Sequence, residues 1–248
     1  MSEFPSLLVQ ARAAAVDHRF DEAASLVQRV LSGAPSCLPA LRLLAWAQLE
    51  LGDDRAAATF QRCATLDPED PLAEVGQAIW HEQRDQRART IDCWVRAWEL
   101  APDNQPVRRA LVRLTGELPE SGLADGIGLL RVGRFEEAAD VLRQIVDPAR
   151  PTGLLCLLDA LWALGSVQQA YRLATSVHAA APEAIKATLY VAAREEAAGH
   201  TLRARELVAR AEQADPGLAL FGDTARRLNL PSLNEPIRTS RAALASAW

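Results

Sequence analysis

The sequence contains few aromatic residues and almost no lysine. Aromatic residues make up 5 % of its 248 residues, although 49 % are hydrophobic, chiefly alanine and leucine. Lys186 is the single lysine, so nearly all positive charge is arginine. The formal net charge of −5 argues against a surface that follows nucleic-acid phosphates. We therefore expect helices packed through small side chains, and no nucleic-acid partner.

Motifs for metals, disulfides and nucleotides are also missing. The four cysteines form no C-x-x-C pair, so we expect buried free thiols in a reducing compartment. His81-Glu82 lacks the second histidine of a zinc helix, and no G-K-[ST] phosphate loop exists. Gly122, Gly126 and Gly128 follow no strand, so close helix packing explains them better. The sequence predicts no catalytic residue, no metal site, no cofactor and no enzymatic activity.

Long hydrophobic runs are absent as well. Residues 1–20 lack the charged and apolar regions of a signal peptide. The longest apolar stretch, from Gly153 to Gly165, contains Asp159 and is too short to span a bilayer. We expect a cytoplasmic protein without direct membrane insertion.

A 34-residue period organises the chain. Gly165 and Pro182 return 34 residues later as Gly199 and Pro216. Between such marks, one helix is predicted before the glycine and a second, with an apolar stripe at i, i+3, i+4 and i+7, before the proline. Neither helix can bury its apolar face alone, so the pairs must stack on one another.

This pattern resembles the tetratricopeptide repeat: a small residue in the first helix, glycine at the turn, alanine five residues later, and a closing proline. Units in this phase begin at Phe4, Leu38, Pro71, Pro119, Pro151 and Ile185. The resemblance implies an all-α, right-handed superhelical solenoid of antiparallel helix pairs, with about six repeats. Lone helices at Gln105–Leu118 and Leu218–Leu228 are interpreted as caps, because a terminal repeat needs its apolar side covered.

The predicted organisation has three segments. Residues 4–118 hold three repeats and a lone helix, residues 119–228 hold three repeats and a capping helix, and residues 229–248 form an extended, then weakly helical tail. In the unit at Pro71 the usual apolar positions are polar, which leaves a second possible apolar stripe open. That stripe consists of Leu72, Val75 and Ile79.

In proteins that the chain resembles, the first helices line a concave groove that contacts ligands. The corresponding row here is unusually apolar, and its members are Leu8, Arg12, Trp46, Leu49, Val75, Ile79, Arg109, Arg113, Leu123, Ile127, Leu155, Trp162 and Leu189. Trp46 and Trp162 are the predicted anchors for a ligand, and the arginines would orient its acidic end. The other interpretation is that the leucines and valines pack between helices.

The predicted function is therefore a non-catalytic scaffold or adaptor that binds an apolar peptide or an amphipathic helix in the groove. The alternative is an assembly factor or regulatory subunit that binds a folded partner through its charged convex face or its C-terminal tail. Apolar residues of that tail are Ile237, Leu244 and Trp248. Three roles stay open for the tail: docking in the groove, tethering a partner, or disorder.

Overall fold

The computed structural model describes residues 3–145, 147, 150–228 and 230, and within these ranges every regular element is helical. The helices are α1 (Phe4–Val16), α2 (Phe20–Gly33), α3 (Leu38–Glu50), α4 (Ala56–Leu66), α5 (Pro71–Glu82), α6 (Arg87–Leu100), α7 (Gln105–Thr115), α8 (Gly122–Arg131), α9 (Phe135–Gln144), α10 (Pro151–Ala163), α11 (Val167–Ala180), α12 (Ile185–Ala197), α13 (Thr201–Ala214) and α14 (Gly222–Arg227). A 3₁₀ turn at Pro216–Leu218 precedes α14.

Six pairs of consecutive helices pack side by side. The pairs are α1/α2, α3/α4, α5/α6, α8/α9, α10/α11 and α12/α13. Helix α7 packs on α6 without a second helix of its own, and α14 packs on α12. The described part of the chain therefore confirms an all-α repeat fold with six helix pairs and two lone helices.

Each pair turns at one residue with left-handed backbone geometry. The six residues and their φ angles are His18 (58°), Gly52 (70°), Asp85 (54°), Gly133 (77°), Gly165 (69°) and Gly199 (81°). Glycine adopts positive φ without a steric penalty, whereas a side chain at Cβ disfavours it. The glycines predicted to end the first helices are thus confirmed, and His18 and Asp85 adopt the same backbone geometry where glycine is absent.

Small side chains lie where the two helices of a pair meet. Ala192 on α12, with Ala204 and Ala211 on α13, have at most 2 % of their surface exposed. Leu158, a larger residue than is usual at its position in α10, is also fully buried. These alanines are buried, and their role in a close helix crossing stays a prediction.

The alternative apolar stripe proposed for α5 is wrong at Leu72, which is 50 % exposed. Glu74 and Gln77, the polar residues at the positions that are usually apolar, instead form hydrogen bonds. Arg96 Nε donates to Glu74 Oε2 at 2.8 Å, and Gln77, which is buried, donates from its amide to the Ala73 carbonyl at 3.4 Å. Burial raises the pKa of Glu74, against the opposing effect of Arg96.

The capping helix predicted from Leu218 to Leu228 is shorter than expected. Gly217 and Leu218 both have positive φ, and α14 begins only at Gly222. The Asp215 side chain accounts for the delay, because its Oδ2 accepts the backbone N–H groups of Leu220 at 2.9 Å and Phe221 at 3.0 Å. A side chain that takes these backbone donors holds the segment as a turn instead of a helix.

The chain divides into two compact units. Among the described residues, the first unit joins 3–66 with 183–228 and 230, and the second lies within Asp67–Pro182. Within the first unit, Asp215 lies in electrostatic range of Arg42 and Cys37, so its two sequence segments contribute to one core. The boundary predicted near residue 119 falls inside the second unit and remains a prediction about repeat organisation.

Within the second unit, α10 contacts the loop that precedes α5. Thr152 Oγ1 donates to the Pro68 carbonyl at 3.0 Å, and Cys156 Sγ lies 3.4 Å from Glu69 Oε1. These contacts join residues more than 80 positions apart in the sequence. The core of this unit is therefore formed by sequence-distant elements as well as by neighbouring helices.

Candidate functional site

The first unit contains five residues of the predicted binding row. Leu8 and Leu49 are buried, and Leu189 has no exposed surface. Trp46 is partly exposed and Arg12 is exposed. In this unit Trp46 and Arg12 are therefore the members of the row that reach the surface.

The second unit contains the other eight residues of the row. Ile127 is buried and Leu155 has no exposed surface, while Arg109 and Arg113 are exposed. The remaining four are partly exposed: Val75, Ile79, Leu123 and Trp162. Helix α10 thus buries Leu155 in the core but leaves part of Trp162 at the surface.

Each of the two predicted anchor tryptophans packs against an aromatic residue of its own repeat. The Trp46 ring meets Phe60 edge-on with the centroids 5.2 Å apart, and the Trp162 ring lies tilted 5.8 Å from Tyr171. Edge and offset contacts of this kind are favourable, and they restrict ring orientation. Both rings are therefore held in place while part of each stays accessible.

Arg113 forms an ion pair with the neighbouring repeat. Its Nη2 lies 2.6 Å from Glu82 Oε1, and the Arg113 side chain is 61 % exposed. An ion pair so open to water contributes little to stability. If Arg113 left Glu82 to bind an acidic ligand, the free energy of unfolding would therefore fall only slightly.

The exposed charges on the second helices alternate in sign over short distances. On α9, Arg143 Nη1 pairs with Asp140 Oδ1 at 2.7 Å, and Arg134, at the N-cap of α9, pairs with Glu137. Glu136 is exposed beside them. Pairing three residues apart on one helix neutralises much of the local charge.

Sequence reasoning missed a cleft of about 440 Å³ in the first unit. Its lining comes from α2, α3 and the turn after α3, and consists of Asp21, Ala24, Ser25, Gln28, Leu44, Gln48, Leu51, Asp53 and Arg55. The α2 members include residues at i, i+4 and i+7, and the α3 members Leu44 and Gln48 lie at i and i+4, so each helix presents one face to the cleft. That spacing was readable in the sequence, but the convergence of the two faces was not.

The deciding observation is that six helix pairs of the described residues each turn at one residue with left-handed backbone geometry, and that successive turns lie 32–34 residues apart except across the lone helix α7. The fold is of the tetratricopeptide type.

No protein-family model and no curated protein matches the chain. Solved structures similar to this chain include the MamA protein, with 16 % identity and a TM-score of 0.41 over 73 % of this chain and 93 % of that one. The P58(IPK) TPR domain has 13 % identity and a TM-score of 0.42, covering 99 % and 67 %. YrrB, described as a TPR protein with an unusual peptide-binding site, has 13 % identity and a TM-score of 0.35, covering 83 % and 98 %. These similarities do not identify a ligand for the chain.

The described residues contain no group of three His, Cys, Asp or Glu side chains that could hold a metal ion. His81 Nδ1 instead lies 2.8 Å from Gln86 Oε1, within the turn of its own repeat. Across the same described ranges, no helix combines the length and the apolar character needed to cross a membrane.

The four cysteines of the tetratricopeptide-type repeats are buried free thiols, as the sequence predicts: Cys37, Cys63, Cys93 and Cys156. Burial raises the pKa of the Cys37 and Cys93 thiols to about 11. The thiolate is the reactive form, so these side chains are both shielded and protonated at neutral pH.

We expect the folded chain to react with a thiol-specific chromogenic disulfide at least about a hundredfold more slowly than the urea-unfolded chain, because reaction requires opening of the core. The measurement is the release of chromophore with time, with and without urea. Rapid reaction of any thiol in the folded chain would contradict the burial described above.

Proposed function

We propose that the chain is a non-catalytic protein-interaction scaffold in which the part of the first-helix row within a unit binds an apolar peptide or an amphipathic helix. The observation that supports this proposal most strongly is that Trp46 and Trp162 are partly exposed while each ring packs against an aromatic ring of its own repeat. Tryptophan combines a large apolar surface with few rotatable bonds, so its burial by a partner yields a large gain in affinity.

Only the exposed and partly exposed members of the row can contact a ligand. Leu155 and Leu189 have no exposed surface and pack in the core. In the second unit, Val75, Ile79 and Leu123 are further partly exposed apolar members of the predicted row. Arg109 and Arg113 would then contact acidic groups of the ligand, as the sequence predicts.

Binding of a folded partner through the charged second helices is the competing function. The exposed residues Glu136, Glu137 and Asp140 on α9 are its most direct candidates. Glu137 and Asp140 already pair with arginines at the N-cap and in the last turn of the same helix, which weakens the electrostatic field that would steer a partner. The tail residues Ile237, Leu244 and Trp248 lie outside the described part of the chain.

The test is a selection of peptides from a random phage-displayed library, with peptides about twelve residues long to allow three helical turns. Enriched peptides are synthesised, and their affinities for the full-length chain are measured by fluorescence anisotropy. We expect enrichment of peptides with an apolar stripe. Trp46→Ala or Trp162→Ala should weaken binding about tenfold or more, because each removes a buried aromatic contact.

The matched controls are Trp46→Phe and Trp162→Phe, which keep an aromatic ring and should retain most of the affinity. Thermal unfolding of every variant distinguishes loss of contact from loss of fold. If selected peptides bind both alanine variants within a factor of two of the original chain, the tryptophan row is not the binding surface. Loss of binding on charge reversal of Glu136, Glu137 and Asp140 alone would favour the competing function.

A further inference from the structure

The cleft in the first unit is lined by both apolar and polar side chains. Ala24, Leu44 and Leu51 are its apolar members, and Leu51 is exposed. The polar members are Asp21, Ser25 and Gln28 from α2, Gln48 from α3, and Asp53 with Arg55 from the turn. A volume of about 440 Å³ is large enough for a long side chain together with its own backbone.

The charges of the cleft sum to one uncompensated negative charge. Arg55 saturates Asp53: its Nε lies 3.0 Å from both carboxylate oxygens, its Nη2 lies 2.6 Å from Oδ2, and its backbone N–H lies 2.8 Å from Oδ1. These bonds hold the pKa of Asp53 below its usual value. Asp21 has no hydrogen-bond or ion-pair partner among the described residues, so the cleft complements a cation.

A buried amide supplies the second polar feature of the cleft. Gln48 is only 4 % exposed, and its Oε1 accepts the Thr59 hydroxyl at 2.6 Å. This bond orients the side chain and leaves Nε2 without an acceptor among the described residues. An amide donor held in a largely buried side chain beside a cleft is suited to a carbonyl oxygen of a ligand.

The cleft is separate from the tryptophan row on α3. Trp46 lies two positions from both Leu44 and Gln48, which places it about 200° around the helix from each. A ligand in the cleft therefore contacts the opposite face of α3 from a ligand held by Trp46.

We propose that this cleft binds an arginine or lysine side chain of an extended peptide segment. The cationic head pairs with Asp21, the aliphatic stem covers Leu44 and Leu51, and a main-chain carbonyl of the peptide accepts from Gln48 Nε2. Basic side chains bury their methylene stems on apolar surface while their charge stays near water, which matches a cleft lined by leucines and by the exposed carboxylate of Asp21.

The test uses Nα-acetyl-arginine methylamide and its neutral isostere Nα-acetyl-citrulline methylamide as probes. Each is titrated into the isotope-labelled full-length chain, and the backbone amide resonances are followed by heteronuclear NMR. We expect the arginine probe to shift the amides of the cleft residues with a dissociation constant on the order of 1–10 mM. The citrulline probe should bind at least about threefold more weakly, because it lacks the charge.

Two variants test the two polar contacts. Asp21→Asn should weaken the arginine probe about threefold or more, whereas Glu22→Gln, a neighbouring exposed carboxylate outside the cleft, should not change it. Gln48→Met keeps the volume and removes the donor, and should weaken both probes. Thr59 keeps its bond to the Arg55 carbonyl at 3.1 Å in that variant, and thermal unfolding checks that the fold persists.

Equal affinity for the two probes, no effect of Asp21→Asn, or shifts confined to residues outside the cleft would each overturn the proposal. Trp46→Ala and Trp162→Ala should leave the affinity of the arginine probe unchanged. The outcome for the cleft is therefore independent of the outcome for the tryptophan row.

Discussion

Replacing Asp215 by alanine should lower the free energy of unfolding at about pH 4 by about 2–4 kcal/mol, because the backbone N–H groups of Leu220 and Phe221 lose their acceptor in a buried site. The side chain is fully buried, so water cannot replace it without opening the core. The segment that these bonds hold includes Leu218, which is 1 % exposed. Chemical denaturation followed by circular dichroism measures the loss.

The effect of Asp215 should depend on pH. Burial raises its pKa from 3.8 to about 6, so the folded chain binds a proton more tightly than the unfolded chain. The resulting stabilisation is fully present below about pH 4 and is lost as the pH rises through about 6. The two-unit shift corresponds to a contribution of about 3 kcal/mol. Wild-type stability should therefore fall over this interval by more than that of a variant without the carboxyl.

Asp215→Asn is the decisive variant, because its amide oxygen can accept the same N–H groups without ionising. We expect it to match the wild type near pH 4 and to exceed it in stability at pH 7. Glu74 and Glu212 also have raised pKa values, but they titrate in every variant and cancel in the difference. Asp223→Asn, at an exposed carboxylate of α14, should leave the pH profile unchanged. A wild-type profile parallel to that of Asp215→Asn would refute this account.

Gly126→Val should destabilise the chain by on the order of 3 kcal/mol through overpacking. A Cβ atom at Gly126 would lie 2.6 Å from Leu142 Cδ2 and 2.7 Å from Cγ. Leu142 on α9 has no exposed surface, so its side chain has little room to move away. The two helices of this pair would have to separate, which removes packing along their length.

Gly128 provides the matched control two residues further along α8. A Cβ atom there would meet no other atom within 4 Å, so Gly128→Val should be neutral or slightly stabilising through better helix propensity. The measurement is the free energy of unfolding from urea titrations of both variants. Equal stability of the two would show that contact between α8 and α9 does not require glycine at position 126.

Much of the fold followed from the sequence, because helix periodicity and turn glycines are local signals. The period placed the helices of the last repeat within a few residues of α12 and α13, and it placed the lone helix α7. It failed at α5, where Leu72 is exposed, because the pairing of Glu74 with Arg96 depends on another helix. It also failed before α14, where one carboxylate takes the backbone donors of a segment five residues away.

Less of the candidate site could be predicted. The sequence identified the first-helix row, but the burial of Leu155 and Leu189 depends on all the elements that surround α10 and α12. The cleft could not be predicted from the sequence, because its lining combines the faces of two helices from successive repeats with a turn. Periodicity describes one helix at a time, whereas a cleft depends on how two helices pack against each other.

The joining of residues 1–66 with residues 183–230 in one unit has a consequence for the speed of folding. In an open repeat array each contact closes a short loop, so structure can nucleate anywhere and spread along the chain. Here the buried environment of Asp215 and Cys37 forms only after the whole segment 67–182 has been looped out. The entropy lost in closing that loop comes before any contact across it is gained, which makes completion of the first unit a late step of folding.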